Sequence, residues 1–128
     1  MDPENLIERA AALFQRAFDA QMRGQLDEAI AECEKAIAVD PAFGNPYNDI
    51  GAYLIEMGRY DDAIPWLEKA TRAPRYEPRH YPHFNLGRVY LAKEMYTEAL
   101  RCFERALETR PDYTAAREVV EAIRRKLN

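Results

Sequence analysis

One pattern occurs three times in register along this chain, and the spacing of its copies limits the fold more than any single residue does. Gly24-Gln25-Leu26-Asp27-Glu28-Ala29-Ile30, Gly58-Arg59-Tyr60-Asp61-Asp62-Ala63-Ile64 and Glu94-Met95-Tyr96-Thr97-Glu98-Ala99-Leu100 follow one another at steps of 34 and then 36 residues. Ala36, Ala70 and Ala106 keep the same steps, each after Glu-Lys or Glu-Arg, and Pro41 and Pro111 mark the same stretch. Self-similarity in this range of periods is the mark of stacked supersecondary units, each burying its apolar face against the next.

Elementary signals make those units helical. Asp2 before Pro3 and Asn45 before Pro46 each place a capping acceptor ahead of a proline, whose missing N–H costs nothing in a first helical turn. Apolar residues return every three or four positions, as in Ile30, Cys33, Ile37 and in Ile64, Leu67, with acids early and Lys35, Lys69 or Arg105 late. The pattern predicts helices near 3–22, 26–39, 46–57, 60–73, 80–93, 96–109 and 112–127, with a mild kink at Pro65.

These residues resemble the tetratricopeptide repeat (TPR) family, whose unit is a helix A, a turn and a helix B. Helix A carries a small residue where it touches helix B, and Ala17, Gly51 and Gly87 stand there. Helix B alternates alanine with a bulkier apolar residue, and Ala29-Cys33-Ala36, Ala63-Leu67-Ala70 and Ala99-Phe103-Ala106 match. The resemblance covers residues 10–113. It implies an all-α, right-handed solenoid of seven helices, with repeats at about 10–43, 44–77 and 80–113 and a capping helix at 112–127. The sequence departs from the family at Arg16, where leucine is usual, at Glu94, where the turn glycine is usual, and by two extra residues before the third repeat.

Charge and composition narrow the function. A chain with 48% hydrophobic and 31% charged residues can bury a core, so disorder is excluded. No stretch reaches the roughly 20 apolar residues of a spanning helix, and the acidic start lacks a secretory signal, so a cytoplasmic protein without a membrane span is expected. The net charge of −4 is spread unevenly. Residues 1–43 are acidic and residues 80–128 mildly basic, a gradient able to steer a partner but too shallow for nucleic acid. Cys33 and Cys102 fall on core-facing helix B positions, where cysteine acts as a small apolar residue. His80 and His83 share a helical spacing without acidic or cysteine companions, so no metal and no cofactor is expected.

The two end helices carry patterns suited to chain ends. On helix 3–22 the stripe Arg9, Ala12, Arg16, Asp19, Arg23 is polar. On helix 112–127, Ala116, Val119 or Val120, Ile123 and Leu127 are apolar, while Arg117, Glu121, Arg124 and Arg125 are free to face water. A single domain over 1–128 is expected, because repeat arrays need polar caps.

In the family, stacked A helices line a concave groove that holds peptides or helices. The resemblance implies that Phe14, Phe18, Asn48, Ala52, Ile55, Tyr81, Phe84, Arg88 and Leu91 line it here. Chaperone-binding members grip a C-terminal carboxylate through basic residues and asparagines at five positions, which in this chain are Phe14, Phe18, Ala52, Phe84 and Arg88. Only Arg88 keeps the required chemistry, so the groove is expected to be apolar and to take an amphipathic helix or extended apolar segment. The bland alternative is that Phe14 and Phe18 are core residues. Residues 72–83, with Pro74, Pro78 and Pro82 among arginines and tyrosines, are expected to form a long inter-repeat turn with solvated charges. A phosphate- or acid-binding surface is the alternative there.

No phosphate loop, nucleophile elbow or metal-ligand cluster occurs, so an enzyme is not expected. The expected function is a protein-interaction adaptor or scaffold, a monomer that binds a protein or peptide partner. Self-assembly into a homo-oligomer is one alternative. A pilus or secretion assembly role is another, because the lengthened junction before Asn85-Leu86-Gly87 is similar to pilus-biogenesis repeat proteins.

Overall fold

A computed structural model describes the backbone of residues 3–128 and the side chains from residue 5 onward. The cap expected from Asp2 lies outside the described residues. Seven helices follow in order: α1 (Pro3–Met22), α2 (Leu26–Val39), α3 (Asn45–Glu56), α4 (Tyr60–Arg72), α5 (His80–Ala92), α6 (Tyr96–Thr109) and α7 (Thr114–Leu127). Each helix packs on the next, and α3 also touches α5, so the odd-numbered helices form one layer and the even-numbered ones the other. Short connections make sequential neighbours antiparallel.

The pairs close through size complementarity. Cys33, Leu67 and Phe103 occupy equivalent places on α2, α4 and α6 and are fully buried. Opposite the two larger ones stand the two glycines. A Cβ on Gly51 would lie 2.5 Å from Leu67 Cγ, and one on Gly87 would lie 2.7 Å from the Phe103 ring. Where the knob shrinks to Cys33, the facing register position holds Ala17. Close packing of this kind leaves no room for an added methylene.

The turns inside the pairs are built alike. Gly24 and Gly58 adopt φ +75°, and Glu94 takes the same left-handed turn at φ 58° in the third pair. In each, the following N–H closes back on a helix carbonyl: Gln25 to Ala20, Arg59 to Leu54 and Met95 to Tyr90, at 2.8–2.9 Å. The departure at Glu94 is therefore one of residue type, not of conformation.

Two helix starts differ from expectation. Asn45 is not a cap but already helical, with Gly44 at the N-cap, and its side chain donates to the Glu77 carbonyl at 3.3 Å. At the other end α7 begins at Thr114, because Pro111 and Asp112 form the turn that precedes it. Leu127 is 50% exposed instead of joining the stripe of Ala116, Val120 and Ile123. Running antiparallel to α6, α7 reaches the start of its partner, where Lys126 lies over the Tyr96 ring. α4 continues through Pro65 without a break.

The segment 73–79 is the expected inter-repeat turn, exposed at Pro74, Arg75, Glu77 and Pro78, but it is also tied to its neighbours. Arg75 donates its N–H to the Ala42 carbonyl, and Gly44 donates to the Arg75 carbonyl, forming a one-residue bridge to the loop between α2 and α3. The Arg75 guanidinium pairs with Asp40 at 2.7 Å and covers the Phe43 ring. Arg79 donates to the carbonyls of Ala73 and Pro74, and Tyr76 is buried. Arg75 and Arg79 thus have partners within the protein although Arg75 stays exposed, and Tyr76 alone of the three is withdrawn from the surface.

A half-buried carboxylate, Asp49 on α3, sits where Cys33, Tyr53 and Tyr76 feel its charge. Burial raises its pKa to about 6, against the opposing pull of the neighbouring Asn48 and Tyr53 side chains. The fold thus binds this proton more tightly than the unfolded chain does, so the associated stability is complete below about pH 4 and is lost as pH rises through about 6.

Three stability measurements follow from this packing. Asp49→Asn should be more stable than the parent by about 1–2 kcal/mol at pH 7, with the difference closing between pH 6 and 4; a constant difference across that range would show that the carboxyl is not perturbed. Gly87→Leu should lower stability by about 1–3 kcal/mol in denaturant melts, since the ring of Phe103 already fills the site. Glu94→Gly should raise it by about 0.5–1 kcal/mol by relieving the left-handed backbone, and an unchanged midpoint would count against that strain.

Candidate functional site

The expected groove residues lie on the odd-numbered helices α1, α3 and α5, with very different exposure. Phe18 is 48% exposed and continues an apolar stripe on α1 with Ile7 (44%) and Met22 (72%). With Ala11 and Phe14 between Ile7 and Phe18, successive members are three or four residues apart, so one side of the helix presents them all. The other face of α1 already packs on α2 through Ala10 and Ala17.

Other members of the set are partly spent on internal packing. Phe14 is half-buried and meets the Phe43 ring edge-on at 5.4 Å. Phe84 is half-buried against Phe103 at 5.2 Å and Tyr113 at 5.1 Å, both edge-to-face. Ile55 and Asn48 are buried beneath the face, whereas Ala52 and Leu91 remain half-open. Tyr81, at 39% exposure, stands at the rim beside His80 and Tyr113.

A polar chain crosses the middle of the face. The Arg88 guanidinium donates to Asn85 Oδ1 at 3.0 Å, and Asn85 Nδ2 donates to Asn48 Oδ1 at 3.0 Å. Because two of its three members are buried, this chain ties α3 to α5 and holds the Arg88 guanidinium at Asn85. Arg88 keeps donors for a ligand. At the α1 end, the Tyr53 hydroxyl donates to Gln21 Oε1 at 3.2 Å.

The face continues beyond the residues read from the sequence. Leu91 opens into a hollow of about 330 Å³ completed by Tyr96 and by Val119, Ala122 and Lys126 of α7. A signal for this existed, because one more step of 34 residues from Phe84 and Arg88 lands on Glu118 and Ala122, which places α7 as another groove-lining helix. Asn85 also went unnoticed, since the link between Asn48 and Arg88 exists only across two helices.

The two histidines part company. His80 is buried in the aromatic corner, 4.1 Å from the Tyr81 ring and 4.6 Å from Tyr113, with Arg110 at 3.5 Å from its Nε2. Burial and then Arg110 lower its pKa. His83 lies on the opposite, outer face. Among the described residues no three His, Cys, Asp or Glu side chains gather as a metal site, and Cys33 and Cys102 are free thiols whose pKa values burial raises. No helix of the described chain is long and apolar enough to cross a membrane.

Comparison with known proteins agrees with this geometry. The sequence is 31% identical over 107 residues to the type IV pilus assembly protein PilF of Pseudomonas aeruginosa, a match covering 84% of this chain and 41% of that protein. A solved structure of P. aeruginosa PilF superposes with a TM-score of 0.85 at 26% identity, over 91% of this chain and 53% of that one. The first TPR domain of Spaghetti (RPAP3), bound to the HSP90 peptide SRMEEVD, matches with a TM-score of 0.84 at 21% identity, covering 94% and 96% of the two chains. The Yersinia enterocolitica type III secretion chaperone SycD, in complex with a peptide of the translocator YopD, matches at 0.82 and 23%, covering 92% and 94%. At those identities the last two show the shared fold alone. The sequence model of the tetratricopeptide repeat matches residues 8–75 and 43–112, and the chain belongs to the tetratricopeptide repeat family.

Proposed function

We propose that this chain is a non-catalytic protein-interaction module, an adaptor whose three repeats and α7 form one unit that holds an apolar or amphipathic segment of a partner protein on the face of the odd-numbered helices. The observation that carries this reading is the unpartnered stripe of Ile7, Phe18 and Met22 on α1, which shares its face with the Leu91–Val119–Ala122 hollow. Exposed apolar surface of this extent is costly to keep unless something covers it. Arg88, held by Asn85, gives a bound segment its direction. Structural relatives captured with peptides support a peptide as the ligand class.

The ligand differs in chemistry from an acidic chain end. Phenylalanine or alanine occupies four of the five positions that a carboxylate clamp would fill with polar groups, and Phe14 and Phe84 are further held by neighbouring rings. A second reading concerns context. The identity to PilF favours a part in pilus assembly, and the chain spans 41% of that relative. Placing this chain in the corresponding part of P. aeruginosa PilF and counting surface pili tests it; retained piliation supports the reading and its loss, with the chimera stably expressed, opposes it.

Fluorescence anisotropy tests the main reading with two labelled peptides, a leucine-faced amphipathic helix and SRMEEVD. The amphipathic peptide should bind at least tens-fold more tightly. Phe18→Ala should weaken it by about 2 kcal/mol, typical of a central interface aromatic, while the melting temperature stays within a degree or two because half of that ring is already in water. Arg88→Ala should change salt sensitivity more than affinity. Tighter binding of SRMEEVD, or a Phe18→Ala variant that unfolds without changing affinity, would sink the apolar-groove reading.

A further inference from the structure

The outer face, made by the even-numbered helices, carries two hollows at equivalent places, one at each step between helix pairs. Their comparison uses the repeat as its own control. The first, of about 520 Å³, lies between α2 and α4 over Ile50 and Leu54. The second, of about 300 Å³, lies between α4 and α6 over the equivalent residues Leu86 and Tyr90. Both keep an acid at two shared positions, Glu34 and Asp62 in the first and Glu68 and Glu98 in the second.

What changes is the cationic content. Arg59, the cation that lines the first hollow, pairs with Asp62 at 3.0 Å, and Lys69, outside the lining, lies over the Trp66 ring at 5.2 Å, so both cations are occupied. In the second, Arg72 replaces Ala38, Arg101 replaces Pro65 and Arg105 replaces Lys69, while Cys102 stands in place of Trp66 and His83 in place of Tyr47. The indole that would cover the third cation is gone. Among the described residues none of the three guanidiniums forms a hydrogen bond or an ion pair within 4 Å, although eight other arginines do. Arg101 and Arg105 stand one turn apart on α6, a like-charge spacing that disfavours the helix, and the three guanidiniums outnumber the two carboxylates, Glu68 and Glu98, in the lining.

We infer that this outer hollow is a binding site for a phosphate-class oxyanion, held by Arg72 of α4 and by Arg101 and Arg105 of α6. Guanidinium forks match the paired oxygens of such a group and remain charged at any physiological pH. Cys102 stands where Trp66 stands in the first hollow, and His83 and Tyr90 add donors to the lining. The site is on the opposite layer from the proposed groove and stands or falls independently of it.

His83 reports directly on occupancy. Burial and the nearby Arg105 depress its pKa, with Glu108 opposing, so an anion among the arginines should raise it. The test is an NMR titration of the intact protein, following the imidazole protons of its two histidines, with sodium phosphate and O-phosphoserine against sodium acetate and sodium chloride at equal ionic strength and pH. Phosphate should shift His83 saturably and raise its pKa while leaving His80 still; acetate and chloride should not. Arg101→Gln and Arg105→Gln should each weaken binding about tenfold, the loss of one charge-assisted contact, whereas Arg125→Gln on α7 should change nothing. Equal affinity for O-phosphoserine would name a phosphate ester as the natural source, and binding of inorganic phosphate alone would name the free ion. An unmoved His83, an equal response to acetate, or an Arg125→Gln variant as impaired as the other two would overturn the assignment.

Discussion

The contact on which the rest of the structure depends is one between a helix backbone and a side chain. At Gly51 the backbone of α3 meets Leu67, and at Gly87 the backbone of α5 meets Phe103, with no space for a methyl group in either place. That approach sets the separation inside each pair. It also fixes which side of each odd-numbered helix remains outward, since Ala52 and Arg88 each follow a glycine by one residue and so lie about 100° round the helix from it. A side chain at Gly51 or Gly87 would tilt the helix and break the continuity of the face that Ala52, Arg88 and Leu91 share.

Because the small residues bring the layers together, the outward sides are left to differ, and they do. The inner face combines an open apolar stripe on α1, a polar chain from Asn48 through Asn85 to Arg88, and an apolar hollow against α7. The outer face is charged, with the acid-and-tryptophan hollow at one step and the arginine hollow at the next. Repeats that share a scaffold therefore present different chemistry at successive steps. A hydrophobic ligand and an anion can each find a place without competing for the same side chains.

Much of the fold was legible because it depends on spacing. The steps of 34 and 36 located all seven helices, and the small residues at 17, 51 and 87 located the pair contacts. Less legible were features that depend on which side chain reaches a distant backbone. Asn45 looked like a cap but reaches Glu77, and the arginines of segment 72–83 looked solvated, yet Arg75 and Arg79 are tied to Asp40, Ala73 and Pro74. For the candidate groove, helical register assigned nine residues to one face but carried no information on their degree of burial. Phe18 is open to water, whereas Phe14 and Phe84 lean on Phe43 and Phe103 from other elements, and such ring contacts are invisible in a single helix pattern. The α7 contribution was within reach of the period and was obscured by reading that helix as a cap.

The central claim, that the inner face receives an apolar segment, is tested most directly by mapping NMR shift changes when a leucine-faced amphipathic peptide is added to the intact protein. The account predicts saturable changes concentrated at Phe18, Ala52, Leu91 and Ala122, with the outer residues Trp66 and Cys102 unaffected. Changes centred on the outer helices, or uniform small changes that never saturate, would contradict it.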